Sequence, residues 1–476
     1  MAGFGYAAKL TAFLAVPYAA AVVLWRSRSW KSAAIVVLCS LILITPWVAK
    51  NTFWTGNPFS PFFNRVFPNR AVHPSSESAL SSAVESYGLK SRWQIPVELA
   101  LGGYRLGGLL GPVFLLAPLA LLSLKQRAGR RLLAAGTLFL LPFTLDIGAR
   151  FVIPALPFFA LALVLPFVRI PALVAALAVA ECIVNWPSVV PRYADLYASR
   201  LGKPNWRAAL RIQSQDSYLG WDLNYVMARR IESLVPAGAR LFSLSGQQQA
   251  YTNRTILSAW QSGESELLLD IFNCAAYPQL KPTHLRTFKF NSRPVRELRL
   301  VETAHTDGNE SWSIAEVRLY DRGRELPQTA EWRLTAQPNP WDVQMAFDHS
   351  LVTRWRSWQA YEPGMFIEID LGKAQPVDEV QVQTSPDQTQ TKIRLDAMDG
   401  SGRWRTLSAA PVEAEAPAVG FLGRRAMSEI RSRHIAYFAL KIHDFGADAV
   451  LVDPSAWGLT QLDEVGEGRL YRIDAP

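Results

Sequence analysis

Cysteine is scarce: the 476-residue chain has three, along with only six histidines. Cys39 and Cys182 fall inside apolar runs and Cys274 stands alone in the polar half. That half therefore has no internal disulfide, and no cysteine pair has zinc-ligand spacing. Histidines scattered singly argue against a His/Cys metal centre. Acidic residues are missing altogether before Glu77. No Gly-x-Ser-x-Gly elbow surrounds a serine, which removes support for hydrolase chemistry. Neither a Walker-type phosphate loop nor a Gly-x-Gly-x-x-Gly turn after a strand occurs, so nucleotide binding lacks its usual cradle.

What is present divides sharply. Residues 1–200 carry a net charge of +12 and the long apolar runs, while residues 201–476 sum to −3. A net charge of +9 can signal nucleic-acid binding. Here the positive charge flanks apolar runs, which is the pattern of membrane topology signals, and nucleic acid is set aside as a partner. The first run has no basic leader and is followed by further runs, unlike a secretory signal peptide.

A bilayer core of about 30 Å asks for roughly 20 apolar residues per helix. Six runs are candidates: Phe4–Trp25, Ser32–Val48, Gly107–Leu124, Leu132–Ile147, Phe151–Val168 and Ile170–Trp186. Pro17, Pro118, Pro154 and Pro157 within them are tolerable if neighbouring helices satisfy the freed carbonyls. The basic connectors Arg26–Lys31 and Lys125–Arg131, with Arg169, then fall on one side, which the positive-inside rule makes cytoplasmic. Loop 50–106 and everything after 187 fall outside. These features predict a multi-pass helical membrane domain of about six spans over residues 1–190, in contact with membrane lipids.

Loop 50–106 opens Lys50-Asn-Thr-Phe-Trp-Thr-Gly-Asn-Pro-Phe-Ser-Pro-Phe-Phe63. This density of aromatics suits the headgroup level. It reads either as an interfacial turn or as part of a site for a lipid-linked substrate. Lys50 and Arg150, at span ends, read either as snorkelling anchors or as ligands of a lipid phosphate, which a guanidinium can hold through two hydrogen bonds. Asp146 is positioned to pair with Arg150. Glu181 is an acid within the sixth run, expensive in lipid and hence a functional candidate, or a solvated residue near its end.

Several of these stretches resemble bacterial membrane glycosyltransferases of the GT-C class. They are Pro46-Trp47, Lys50-Asn51 and Thr55-Gly-Asn-Pro58, then Gly5–Thr11, Gly107–Phe114 and Arg150–Pro157. The resemblance implies a sugar moved from a polyprenyl-phosphate donor to a glycan acceptor on the outer face of the cell membrane. In the family a carboxylate in the first exterior loop acts as general base. This chain starts at what resembles a middle helix and has no acid in residues 1–76, so the resemblance covers a C-terminal part only. Glu77, Glu85 and Glu98 are the loop carboxylates left to serve as base.

Residues 200–293 and 415–476 read as one small α/β domain in two segments, with a helix at Leu223–Leu234, a strand at Arg240–Leu244, a helix at Arg424–Arg433 and strands at Ile435–Ile442 and Arg469–Ile473. The intervening 294–414 alternates with period two, as in Phe366-Ile-Glu-Ile-Asp-Leu371, and predicts a β-sandwich. Trp312–Tyr320, Ala346-Phe-Asp348, Thr353-Arg-Trp355 and Phe366–Gly372 resemble the discoidin (F5/8 type C) jelly roll, related to galactose-binding domains. Relatives often hold a structural calcium near the Asp348 equivalent; Asp348-His349-Ser350 departs from their motif, so no metal is expected and calcium at Asp348 is the sole cofactor candidate. Trp341, Trp355, Trp358 and Tyr361 offer a sugar-stacking platform, with core packing as the plainer reading. Two functions follow: a glycosyltransferase lacking its N-terminal catalytic half, or a non-catalytic, membrane-anchored carbohydrate-binding protein.

Overall fold

The computed structural model describes residues 2–8, 10–78, 87–144, 147–195, 206–247, 249–259, 262–417 and 419–475. The chain forms two compact units: Met1–Trp54 with Ser78–Ile212, and Thr55–Glu77 with Gln213–Pro476.

The first unit is helical but is not six spans. Among the described residues one helix, Trp30–Thr55 with 26 residues, is long and apolar enough to cross a bilayer. The other apolar runs break into shorter pieces. The first splits into Ala2–Ala8, a tight turn at Leu10–Leu14, and Ala15–Ser27. The third is a 14-residue 3₁₀ segment, Pro112–Lys125, with Pro118 inside. The fourth ends as an α-helix at Leu140 and tightens over Leu141–Thr144. The fifth shrinks to Leu156–Val164, and the sixth to the 14-residue helix Pro171–Val184. At 1.5 Å per residue, 14 α-helical residues reach only about 21 Å, short of the bilayer core. In the third, fourth and fifth runs proline accompanies the breaks: Pro118, Pro142, Pro154, Pro157 and Pro166 remove amide donors and crowd the preceding turn. Counting apolar residues overlooked those interruptions. Much of this unit's apolar surface is exposed, including Leu38, Ile42, Phe53, Trp54 and Ile183.

In the second unit, β1 (Arg240–Ser243) and β2 (Thr255–Ser258) run parallel. The chain then leaves this sheet for a long β-rich excursion. It comprises β3 (His284–Glu302), β4 (Ser311–Ile314), β5 (Glu316–Asp321), β6 (Arg324–Glu325), β7 (Arg333–Gln337), β8 (Trp355–Ala360), β9 (Phe366–Thr384), β10 (Ile393–Met398), β11 (Trp404–Ser408) and β12 (Val412–Glu415). It returns as β13 (Ile435–Lys441), β14 (Leu459–Val465) and β15 (Gly468–Ile473). The first sheet has the order β14-β15-β13-β1-β2. Its two faces separate by alternation. Leu241, Ala439 and Leu470 pack with Met227 and Ile231 of the Leu223–Leu234 helix. Phe242, Phe438, Leu440 and Tyr471 pack with Leu268, Ile271 and Phe272 of the Gly263–Ala276 helix and with Ala426, Met427 and Ile430 of the Gly423–Ser432 helix.

The excursion is organised by β3 and β9, 19 residues each, paired antiparallel from His284↔Thr384 to Val301↔Phe366 with two register shifts. These shifts bend both strands, so that one long-range antiparallel pair serves most of the eight-stranded sheet. In β9, Ile367, Ile369 and Leu371 are fully buried while Glu368 and Asp370 stay partly exposed. The core gathers Trp312, Trp355, Phe288 and Val380.

The α/β layer and the β-rich layer are joined through a buried ion cluster. Asp270, on the Gly263–Ala276 helix, accepts from Arg354 Nη2 at 2.6 Å and Nε at 2.8 Å and from Arg356 Nη1 at 2.7 Å. Arg354 also donates to Ser385 at 3.3 Å. Beside it, Val352 enters the α/β core. Burial pushes the Asp270 carboxyl up, but the two guanidinium charges outweigh it and hold it at about 2.

Truncating one partner of a buried pair strands a charge. Asp270→Ala is expected to destabilise the second unit by about 3–5 kcal/mol. Arg356→Ala, whose guanidinium is partly exposed, should cost clearly less. Urea unfolding of the full chain measures both, and equal losses would place the constraint elsewhere. Because the folded carboxyl lies below its usual 3.8, this contribution is present above that pH and lost as pH falls toward about 2.

Candidate functional site

Strand β5 turns Val317 and Leu319 into the core and leaves Glu316, Arg318 and Tyr320 on the opposite face. That face meets the turn after Phe347, where Asp348 accepts the Ser350 amide at 3.0 Å and the Thr353 hydroxyl at 2.8 Å. The turn holds His349 at φ +56°, a left-handed conformation uncommon outside glycine. Its imidazole sits between two acids, with Nδ1 3.8 Å from Glu316 and Nε2 3.8 Å from Glu325. Arg318 lies 4.0 Å from the same Glu325. Glu316 is 1% exposed. Burial, only partly offset by Arg318 and aggravated by Asp348, pushes its carboxyl up to about 8, so it is neutral at physiological pH.

Alongside opens a cleft of about 350 Å³ whose walls include Arg318, Gln383, Leu351, Val419, Phe421 and Arg425. Arg318 and Gln383 come from the β-rich layer, Leu351 from the turn that enters the α/β core, and Arg425 from the start of the Gly423–Ser432 helix. Phe421 is 56% exposed and edge-on to Trp457 at 5.6 Å, which fixes its ring at the rim. A larger groove of about 470 Å³ runs beside Val179, Ile183 and Trp186 in the first unit. It is lined almost wholly by apolar groups and has nothing to orient a polar ligand, so the first cleft is the better candidate.

The residues singled out from sequence do not converge. Glu77 is a loop-fastening group: it accepts from the Phe63 and Asn64 amides at 3.1 Å each and from the Asn64 side chain at 3.2 Å. Glu98 accepts the Arg105 amide at 2.8 Å and stabilises its own turn. Glu85 and Asp146 lie outside the described residues. The Lys50 ammonium stands 4.9 Å from the Trp47 and Trp54 ring centres, and the Arg150 guanidinium 4.9 Å from that of Phe151. Of the aromatic platform, Trp341 is 42% exposed, whereas Trp355, Trp358 and Tyr361 are buried. Trp355 packs edge-on to Trp312 and donates to the Asn339 carbonyl at 2.7 Å; Trp358 stacks on His73 at 4.4 Å. Among the described residues, no group of three or more His, Cys, Asp or Glu side chains is placed to hold a metal, and the Asp348 carboxylate accepts the Thr353 hydroxyl.

From Thr55 to Glu77 the aromatic loop belongs to the second unit. Residues 55–77 are fastened by buried Asn57, Asn64 and Asn69 bonded to one another at 3.1 Å. His73 adds a 2.6 Å contact to Glu266, which also accepts from Ser76 at 2.8 Å. The serine thus bonds the acid and not the imidazole, which is not the order of a nucleophilic triad.

No protein-family model, curated protein or solved structure matches the chain.

Sequence reading missed Glu316, Arg318, His349, Phe421 and Arg425. The available signal was Glu316-Val-Arg-Leu-Tyr320, a strand whose polar residues all share one face. Nothing local links it to Arg425. Since the Glu316 carboxyl lies above its usual 4.5, the folded state keeps a proton there that the unfolded chain has released, and stability falls as pH rises toward about 8. Glu316→Gln should remove that part of the decline, so the variant gains on wild type from about pH 5 to 8 and holds the gain above. Melting temperatures across that range test this; parallel curves would show an ionised Glu316.

Proposed function

We propose that this chain is a membrane-attached carbohydrate-binding protein of the cell envelope, held by Trp30–Thr55 and the exposed apolar helices of its first unit, with a sugar site on its second unit. The observation that carries it is the cleft: apolar walls, an anchored aromatic ring at the rim and a few convergent polar groups, the composition of a small polar-ligand site. The discoidin-like motifs of residues 312–372 agree with it. The positions of Glu77 and Glu98 favour binding over transfer, because both carboxylates are engaged in holding backbone amides of their own loops. Glycan-array binding by the detergent-purified full chain tests the reading. Retention of defined glycans is expected, and no retention by a cooperatively folding preparation would refute it.

The second reading, sugar transfer from a polyprenyl phosphate to a glycan acceptor, is favoured by the exposed cations at Lys50 and Arg150. With Glu77 and Glu98 engaged, it requires Glu85 as base. Glu85→Ala would then lower transfer by about 10²-fold or more, whereas unchanged transfer would exclude that residue.

A further inference from the structure

We propose that the Arg318–Arg425 cleft binds the anionic group of an acidic sugar, one bearing a carboxylate or a phosphate. This rests on the carbohydrate-binding reading and narrows it. Two guanidiniums from separate elements line one cleft. The Arg425 guanidinium has no ion pair or hydrogen bond among the described residues, and the nearest acid to Arg318 in an ion pair is Glu325, at the long distance of 4.0 Å.

Apart from that long contact to Glu325, the surroundings add to the charge instead of cancelling it. The Gly423–Ser432 helix begins at Leu422, also in the cleft wall, with no side-chain cap and no acid in its first turn. The positive end of its dipole therefore adds to the guanidiniums. Glu316, two residues from Arg318 on the same face, is buried with its carboxyl pushed up to about 8 and is neutral in neutral solution. The other titratable groups facing it are Asp348 and His349 from the turn and Glu325 from β6, with Glu429 and Arg433 of the helix acting on Asp348.

Size and walls point to a sugar and not a bare ion. At about 350 Å³ the cleft is near the lower end of ligand pockets, room for one or two rings and too small for a long oligomer. Phe421, Leu351 and Val419 present apolar surface to the C–H face of such a ring.

Isothermal titration of the detergent-purified full chain with glucuronate, galacturonate, glucose 6-phosphate, glucose and inorganic phosphate tests this. An acidic sugar should bind about tenfold or more tighter than glucose or phosphate alone. Arg318→Ala and Arg425→Ala should each remove that advantage, and Arg425→Lys should keep part of it. Tighter uronate binding identifies a carboxylate ligand and tighter glucose 6-phosphate binding a phosphate ligand; either supports the proposal. Glucose bound as well as the acidic sugars, indifferent to both arginines, overturns it while leaving carbohydrate binding intact. Phosphate bound as tightly as its sugar ester overturns the sugar component. Failure of every acidic sugar, with cooperative unfolding verified in the same sample, overturns the acidic-sugar proposal, while carbohydrate binding itself stands or falls on the glycan array.

Discussion

Much of the second unit depends on one buried carboxylate. Asp270 is 4% exposed and reached by three guanidinium N–H groups, two from Arg354 and one from Arg356. Arg354 is itself 4% exposed, so neither partner can fall back on water. Such a pair is a weak source of net stability but a strong selector of geometry, since any other docking of the two layers strands a charge. The candidate cleft takes walls from both layers, and its shape exists only while that docking holds.

The legible part of this fold was the part governed by local periodicity. Alternation in Phe366–Leu371 is written directly in the burial of Ile367, Ile369 and Leu371. The helices around Leu223–Leu234 and Gly423–Ser432 carry their apolar stripes in sequence. What period two cannot convey is reach: β3 and β9 continue through register shifts for 19 residues, where short strands were expected. The apolar runs misled for a different reason. Hydropathy counts side chains, whereas helix length depends on backbone amides, and prolines interrupt those amides inside the third, fourth and fifth runs.

The site was harder to read because its parts are distant in the chain. Tryptophans invite a sugar-stacking reading, yet large aromatics also give the most apolar burial per residue, and Trp355 and Trp358 are used that way. The loop acids drew attention as bases, yet Glu77 lies among asparagines that tie residues 55–77 to one another. Arg318 and Arg425 belong to different layers, so no window of sequence contains both.

Hydrogen exchange on the full chain, comparing wild type with Asp270→Asn, examines the docking constraint most directly. If the buried carboxylate holds the layers together, neutralising it should raise exchange in the Gly263–Ala276 helix and in residues 351–357 together, while the centres of β3 and β9 stay protected. Unchanged protection in that helix and segment would contradict the account, leaving the cleft without the constraint that shapes it.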